Sequence, residues 1–268
     1  MKLGLCTIAF QDKPLEEVID IAADHGFDGI ELWGKPPHLP ADYDQNYAKS
    51  VKEMAQRKGL AISAFGSYID PLMHLHQKHF EEAFKIAHDL GTDVVRIWSG
   101  GGPSRSIAPS DKRLIHFRLV SITQWANFRS IRLGLEMHNN HLTDSVESIL
   151  EIIEDVKLPA LKTYYQPLAR SDADEPHDAA EKLAAHIVNV HAQNFDENGR
   201  ACPIADGVVD YTRIVEILSK AGYDGYLEVE FVHGDNKLEA LQRDRDYLAS
   251  LIDTTNTDAL KNLDTDPV

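Results

Sequence analysis

Short apolar runs recur along the chain roughly every 30 residues, and a segment of helical periodicity follows each one. The first runs are Leu3-Gly4-Leu5-Cys6-Thr7, Gly29-Ile30-Glu31-Leu32-Trp33 and Leu60-Ala61-Ile62-Ser63-Ala64-Phe65. Val94-Val95-Arg96-Ile97-Trp98 and Leu133-Gly134-Leu135-Glu136-Met137 follow, then residues 161–165, the least patterned of the set. Ile187-Val188-Asn189-Val190-His191 and Tyr226-Leu227-Glu228-Val229-Glu230-Phe231 bring the number to eight. Runs this short, set between helices, read as parallel strands buried on both faces.

The intervening segments carry helix signals. Residues 14–23 place Leu15, Val18, Ile19, Ile21 and Ala22 on one stripe, and Gly26 stands where a C-cap is needed. Residues 80–90 end likewise at Gly91, and 211–221 at Gly222. Thr143 is placed to cap a helix over 144–156, with Glu147 in its first turn. Eight strand–helix units in this length predict an α/β fold, a single closed (β/α)8 TIM barrel over residues 1–252. An open doubly wound sheet needs fewer strands and usually a Gly-rich first turn, which is absent. Residues 253–268 are polar and aperiodic, and read as a loosely held C-terminal extension.

Composition narrows the partners. Against 43 Asp and Glu the chain has only 27 Lys and Arg, scattered along its length, for a net charge of −16. Such a surface repels phosphate backbones, so nucleic acid is not an expected partner. The two cysteines, Cys6 and Cys202, give neither a disulfide framework nor a Cys-rich zinc site. No run is long enough for a membrane span, and the first residues lead straight into a strand, which argues against a signal peptide. A cytoplasmic protein is expected; homo-oligomeric assembly is left open.

In a barrel of this kind, residues at the C-terminal strand ends face a shared cavity. Glu136 ends the fifth strand, with His138 two residues on and on the same face. Gln166 follows the sixth strand, and His191 ends the seventh with Gln193 behind it. In the eighth, Glu228 and Glu230 alternate with Leu227, Val229 and Phe231, so both carboxylates point into the barrel. An inward carboxylate costs several kcal/mol unless it is paired or bound to a cation. Carboxylates and an imidazole on one rim suit a divalent metal. A single Glu near a strand end is more often a solvated rim residue; their joint occurrence on successive strands carries the reading.

Leu135-Glu136-Met137-His138-Asn139-Asn140, Val190-His191 and residues 222–230 (GYDGYLEVE) resemble the xylose-isomerase-like TIM-barrel superfamily. Within it they are similar to the sugar-phosphate isomerase/epimerase group, which also holds ketose 3-epimerases, inosose dehydratases and hydroxypyruvate isomerases. The resemblance spans roughly residues 1–250, including Asp206-Gly207-Val208-Val209-Asp210-Tyr211. It implies one divalent ion (Mn, Co, Mg or Zn) held by Glu136, His191 and Glu230, position 230 rather than 228 matching the family's spacing. The family usually carries an Asp after the sixth strand; here Gln166 stands there, an uncharged ligand. The His that many epimerases carry three residues later is replaced by Ala169.

Other rim residues fit a small polyol. Glu31 and Trp33 share a face of the second strand and Arg96 and Trp98 one of the fourth, Phe10 follows the first strand, and Arg200 lies in the loop after His191. Aromatics beside a few polar groups are what carbohydrate recognition needs, although Trp33 and Trp98 can equally plug the barrel top. The loop 99–105 is Gly-rich but lacks a P-loop signature, so phosphate binding there is a weak expectation. His74 and His76 read as surface residues.

The expected function is a metal-dependent isomerase or epimerase of a small sugar, ketose or related polyol, working through an enediolate. Glu136 and Glu230 would exchange the substrate proton; His138, Trp33, Glu31, Arg96, Trp98, Gln193 and Arg200 would bind the substrate. Cyclitol dehydration and non-catalytic sugar binding are the alternatives, the latter kept alive by Gln166. A relative of endonuclease IV, with three zinc ions and a grip on DNA, is opposed by the charge.

Overall fold

The computed structural model describes residues 1–44, 46–73, 77–169 and 175–263, so His74 and His76 lie outside the described residues. Eight parallel strands close into a barrel: β1 (Lys2–Cys6), β2 (Gly29–Trp33), β3 (Ala61–Gly66), β4 (Val94–Ile97), β5 (Arg132–Glu136), β6 (Leu161–Tyr165), β7 (Ile187–Ala192) and β10 (Tyr226–Val229). Two further strands, β8 (Asn194–Phe195) and β9 (Ala201–Cys202), pair antiparallel in a hairpin beyond β7. Strand order follows the chain around the barrel, and β1 closes it against β10, Gly4 facing Glu228 and Leu5 facing Val229.

The helices are α1 (Leu15–Asp24), α2 (Tyr47–Arg57), α3 (Gln77–Leu90), α4 (Pro109–Phe128), α5 (Val146–Val156), α6 (Glu175–Leu183), α7 (Tyr211–Lys220) and α8 (Lys237–Leu263). In α1 the buried side chains are Leu15, Val18, Ile19, Ile21 and Ala22, the stripe expected from periodicity. Gly26 (φ +72°) and Gly91 (φ +79°) turn the chain after α1 and α3 in the left-handed region that a side chain would strain. The cap of α5 is Ser145, whose hydroxyl accepts from the Ser148 N–H, and not Thr143. Thr143 instead donates its hydroxyl to the Glu136 carbonyl (2.5 Å), fixing the end of β5. α8 continues past Ile252 to Leu263, so the polar 253–263 segment extends a helix whose buried side is Ala240, Leu241, Asp244, Leu248 and Ile252.

The apolar core lies between strands and helices; the barrel lumen is different. A small separate cluster of Ala64, Val94, Tyr164 and Val188 fills part of it, and Gly134 leaves room for the Tyr164 ring, which a Cβ there would meet at 2.2 Å. Register shifts occur between Ile30 and Glu31 against β3, and between Thr163 and Tyr164 against β7. Irregularities of this kind re-aim side chains, and each precedes an inner residue, Glu31 or Tyr164. Among the described residues, no helix is long and apolar enough to cross a membrane.

Candidate active site

At the C-terminal strand ends the barrel holds Glu31, Arg96, Glu136, His191, Glu228 and Glu230, each at most 5% exposed. His191 is the centre. Its Nδ1 lies 3.4 Å from an oxygen of Glu136 and 3.4 Å from one of Glu230. Its Nε2 lies 3.0 Å from Glu31 Oε2 and 3.9 Å from Glu228 Oε2. The Tyr164 ring meets the imidazole edge-on, with centroids 5.1 Å apart. Arg96 Nη1 is 3.0 Å from Glu136 Oε2, its Nε is 4.0 Å from Glu31 Oε1, and its Nη2 donates to the Ser67 carbonyl.

The lumen is built to admit these groups. A Cβ on Gly4 would lie 2.6 Å from Glu228 Cγ, and one on Gly66 2.4 Å from Glu31 Oε1. Glu228, opposite His191 in the β7–β10 register, sits one layer below Glu230, which follows the last residue of β10. Burial raises the proton affinity of every carboxylate here, and the neighbours decide the outcome. Glu230 is pushed up to about 7 by burial and by Glu136 and Glu31, against the pull of His191 and Arg96. Glu228 is pushed well above the carboxylate range by burial and by Glu31. In Glu31 the burial effect is outweighed by His191 and Arg96, which bring it down to about 2. Glu136 is likewise held low, by Arg96 and His191. Burial opposes the imidazolium of His191, yet Glu230 and Glu31 raise its proton affinity well above the usual value.

Acidic groups outnumber cationic ones in this lumen, and uncompensated buried charge is costly. Ligand atoms of Glu136, His191 and Glu230 all lie within 4.8 Å of one another. Gln166 donates its Nε2–H to the Met137 carbonyl (2.6 Å), which leaves its buried Oε1 without a hydrogen-bond partner. Two carboxylates and an imidazole form a donor set that fits a divalent ion. Cys6, to which the sequence reading gave no role, forms a second grouping with Glu31 and His191, its thiol kept protonated by burial and by Glu31.

The rim is aromatic. Trp33 donates its indole N–H to Tyr68 (2.6 Å), and Tyr68 stacks on Trp98 at 5.9 Å. Trp98 also meets His138 at 4.9 Å and His141 at 4.7 Å, and its own buried indole N–H has no partner. Lys35 Nζ sits 3.6 Å above the Tyr68 ring. Tyr68, His141 and Lys35 escaped the sequence reading because each lies in a loop beyond the period-two pattern of a strand. Tyr68, in the loop after β3, had an aromatic side chain as its only signal.

Several expected substrate contacts are placed elsewhere. Arg96 is 3% exposed, pairs with Glu136 and lies 5.2 Å from the Tyr68 ring and 5.4 Å from the Trp98 ring, and fully buried Glu31 is engaged with His191. Gln193 ties loops together: its Nε2–H donates to the Pro167 carbonyl, and its backbone N–H and C=O both bond the Tyr211 hydroxyl. Arg200 lies exposed in the β8–β9 turn, where its backbone N–H donates to Asp196, and its described contacts do not reach His191. Phe10 is buried under Lys237. The Gly-rich loop after Ile97 is packed against acid, since a Cβ on Gly100 would lie 2.5 Å from Asp70 Oδ1, and Ser104 N–H donates to Asp144. That arrangement opposes phosphate binding there.

The barrel and this constellation at its strand ends define the class, and the sequence comparison agrees: residues 19–251 match the model of the xylose isomerase-like TIM barrel family, to which the chain belongs. A 3-dehydroshikimate dehydratase of Bacillus anthracis is 27% identical over 85% of this chain and 90% of its own length. A fructoselysine 3-epimerase of Escherichia coli O157:H7 is 23% identical over 87% of this chain and 90% of its own length. Among solved structures, a probable 3-DHS dehydratase from Bacillus anthracis superposes with a TM-score of 0.79 at 22% identity, covering 93% of this chain and 99% of that one.

Proposed function

We propose that the chain is a divalent-metal-dependent enzyme that removes a proton beside the carbonyl of a small polyhydroxylated compound, and isomerises or epimerises it through an enediolate. The observation that carries this reading is the buried triad Glu136, His191 and Glu230, whose ligand atoms share one small volume at the strand ends. These residues would hold the ion, with Gln166 Oε1 as a further proposed ligand. When bound, the ion would supply Lewis acidity toward the substrate's carbonyl and neighbouring hydroxyl oxygens.

The chain's own groups divide the remaining work. Glu230, at the strand end 3.4 Å from His191 Nδ1, would take the proton from carbon and, in an isomerisation, return it to the neighbouring carbon. Glu136 is held as an anion by Arg96, which also fixes its carboxylate in place. His138 donates Nδ1–H to the Asn139 carbonyl (2.8 Å), so its Nε2 is left to accept a substrate hydroxyl. Trp98, Tyr68 and Trp33 offer the apolar wall on which sugar C–H faces rest, and the indole N–H of Trp98 offers a donor.

Dehydration is the second reading, and two observations favour it. One is the dehydratase at 27% identity. The other is the asymmetry of the carboxylates: with Glu136 locked on Arg96, only one of the pair readily shuttles a proton, which suits an elimination better than exchange between opposite faces. The free thiols of Cys6 and Cys202 fit a reducing, cytoplasmic setting.

The test is a panel of ketoses, cyclitol ketones and cyclic hydroxy-ketoacids incubated with the Mn²⁺-loaded protein in D₂O. Deuterium should enter the carbon beside the carbonyl of the true substrate, and Glu230→Gln should abolish the exchange. Retention of all oxygens marks isomerisation or epimerisation; loss of water marks a dehydratase. Binding without any exchange would leave a sugar-binding barrel and contradict the proposal.

A further inference from the structure

Glu31 is fully buried, and its Oε2 lies 3.0 Å from His191 Nε2. The other face of the same imidazole, Nδ1, lies between Glu136 and Glu230. A carboxylate can only accept, so the Nε2 of His191 must carry a hydrogen for this contact to be a hydrogen bond. With a neutral ring, that tautomer leaves the Nδ1 lone pair facing Glu136 and Glu230. We propose that Glu31 is a positioning residue for His191: it holds the Nε2–H tautomer and the ring plane so that Nδ1 is presented as a metal ligand. This rests on the metal site proposed above.

Three features show that the contact is built rather than incidental. The β2–β3 register slips between Ile30 and Glu31, at the residue itself. Gly66 on β3 clears the space, since a Cβ there would meet Glu31 Oε1 at 2.4 Å. Arg96 Nε sits 4.0 Å from Glu31 Oε1, giving the second oxygen a cationic neighbour. Carboxylate partners of this kind orient metal-binding imidazoles and raise their basicity, and removing them commonly costs ten- to a hundredfold in metal affinity.

The experiment uses Co²⁺ and the full chain, comparing wild type with Glu31→Gln and Glu31→Met by chelator competition and by proton NMR of the Co²⁺ forms. In wild type, the Nε2–H of an Nδ1-ligated His191 should give a strongly shifted, slowly exchanging resonance. Glu31→Met keeps the volume and removes the acceptor; affinity should fall about tenfold or more, and the resonance should be lost to exchange. Glu31→Gln keeps an acceptor oxygen, so the resonance should persist at a changed position with a smaller loss of affinity. It also serves if the Met variant does not fold. Unchanged affinity and an unchanged resonance in the variants would overturn the role of Glu31 while leaving the metal site standing. Failure of wild type to take up Co²⁺, or equal uptake by His191→Asn, would overturn the site itself, and this inference with it.

Discussion

On the proposed ligand set, Gln166 would set the charge of the site. An Asp there would surround a dication with three carboxylates; with Gln, Glu136 and Glu230 alone balance it, and the amide oxygen is a weaker donor to a hard cation. Gln166→Asp should therefore tighten Mn²⁺ binding about tenfold or more, on the order of 1.4 kcal/mol, in a chelator-competition titration. Unchanged affinity would mean that position 166 does not reach the ion. Glu230→Gln should lower turnover at least ~10²-fold while the fold is kept, as a lost acid–base group does, and Glu136→Gln should lower it comparably through loss of a proposed metal ligand. Glu228→Gln should do much less, because Glu228 lies one layer down, beside Glu31. A dispensable Glu230 with an essential Glu228 would reverse the assignment. Glu136, His191 and the two glutamates of the last barrel strand were legible as polar residues in apolar runs, and the choice of Glu230 over Glu228 came from the family resemblance. Arg96 and Glu31 were legible as inward residues and not by role: strand periodicity gives the face of a side chain, whereas their partners come from strands distant in the chain.

The strands were read within two residues of their ends, including β6, whose pattern was weak because Tyr164 and Thr163 point to opposite sides and both are buried. The β8–β9 hairpin was not legible: two-residue strands are too short for any period, and only the Asp196–Gly199 turn marked it. The course of α8 was misjudged because its later turns lack an apolar stripe, while the helix continues from a well-packed first half. That half holds Asp244, fully buried, which accepts the Ile204 N–H and keeps its other oxygen unpartnered. Burial pushes its carboxyl up to about 6 from the usual 3.8. With the folded-state affinity raised, its contribution to stability is fully present below pH 4 and is lost as pH rises through about 6. Asp244→Asn should remove that loss. Denaturant titrations should show stability falling less between pH 4 and pH 8 in the variant, by on the order of 3 kcal/mol. An identical pH dependence would refute the buried, ionising carboxylate. On β3, Gly66→Ala should cost roughly 1–3 kcal/mol through overpacking against Glu31, and a neutral result in the same titrations would show that the lumen has slack there.

Across the whole molecule, the lumen of the barrel gathers acidic side chains from strands far apart in sequence, so a bound dication would clamp β5, β7 and the end of β10 together. Binding to the folded state alone then raises stability by RT ln(1 + [L]/Kd), ~2.7 kcal/mol at a hundredfold excess over Kd. The thermal midpoint should rise with added Mn²⁺ in wild type and not in the Glu136→Gln/Glu230→Gln double variant. Chelation should abolish turnover, and Mn²⁺, Co²⁺ or Mg²⁺ should restore it; full turnover after exhaustive chelation would exclude the metal mechanism. The most direct test of the central claim is equilibrium dialysis against Mn²⁺, followed by elemental analysis, on wild type and that double variant. The account predicts a single tightly held ion per chain in wild type and none retained by the variant at the same free concentration. Equal retention by both proteins, or no retention by either, would contradict it.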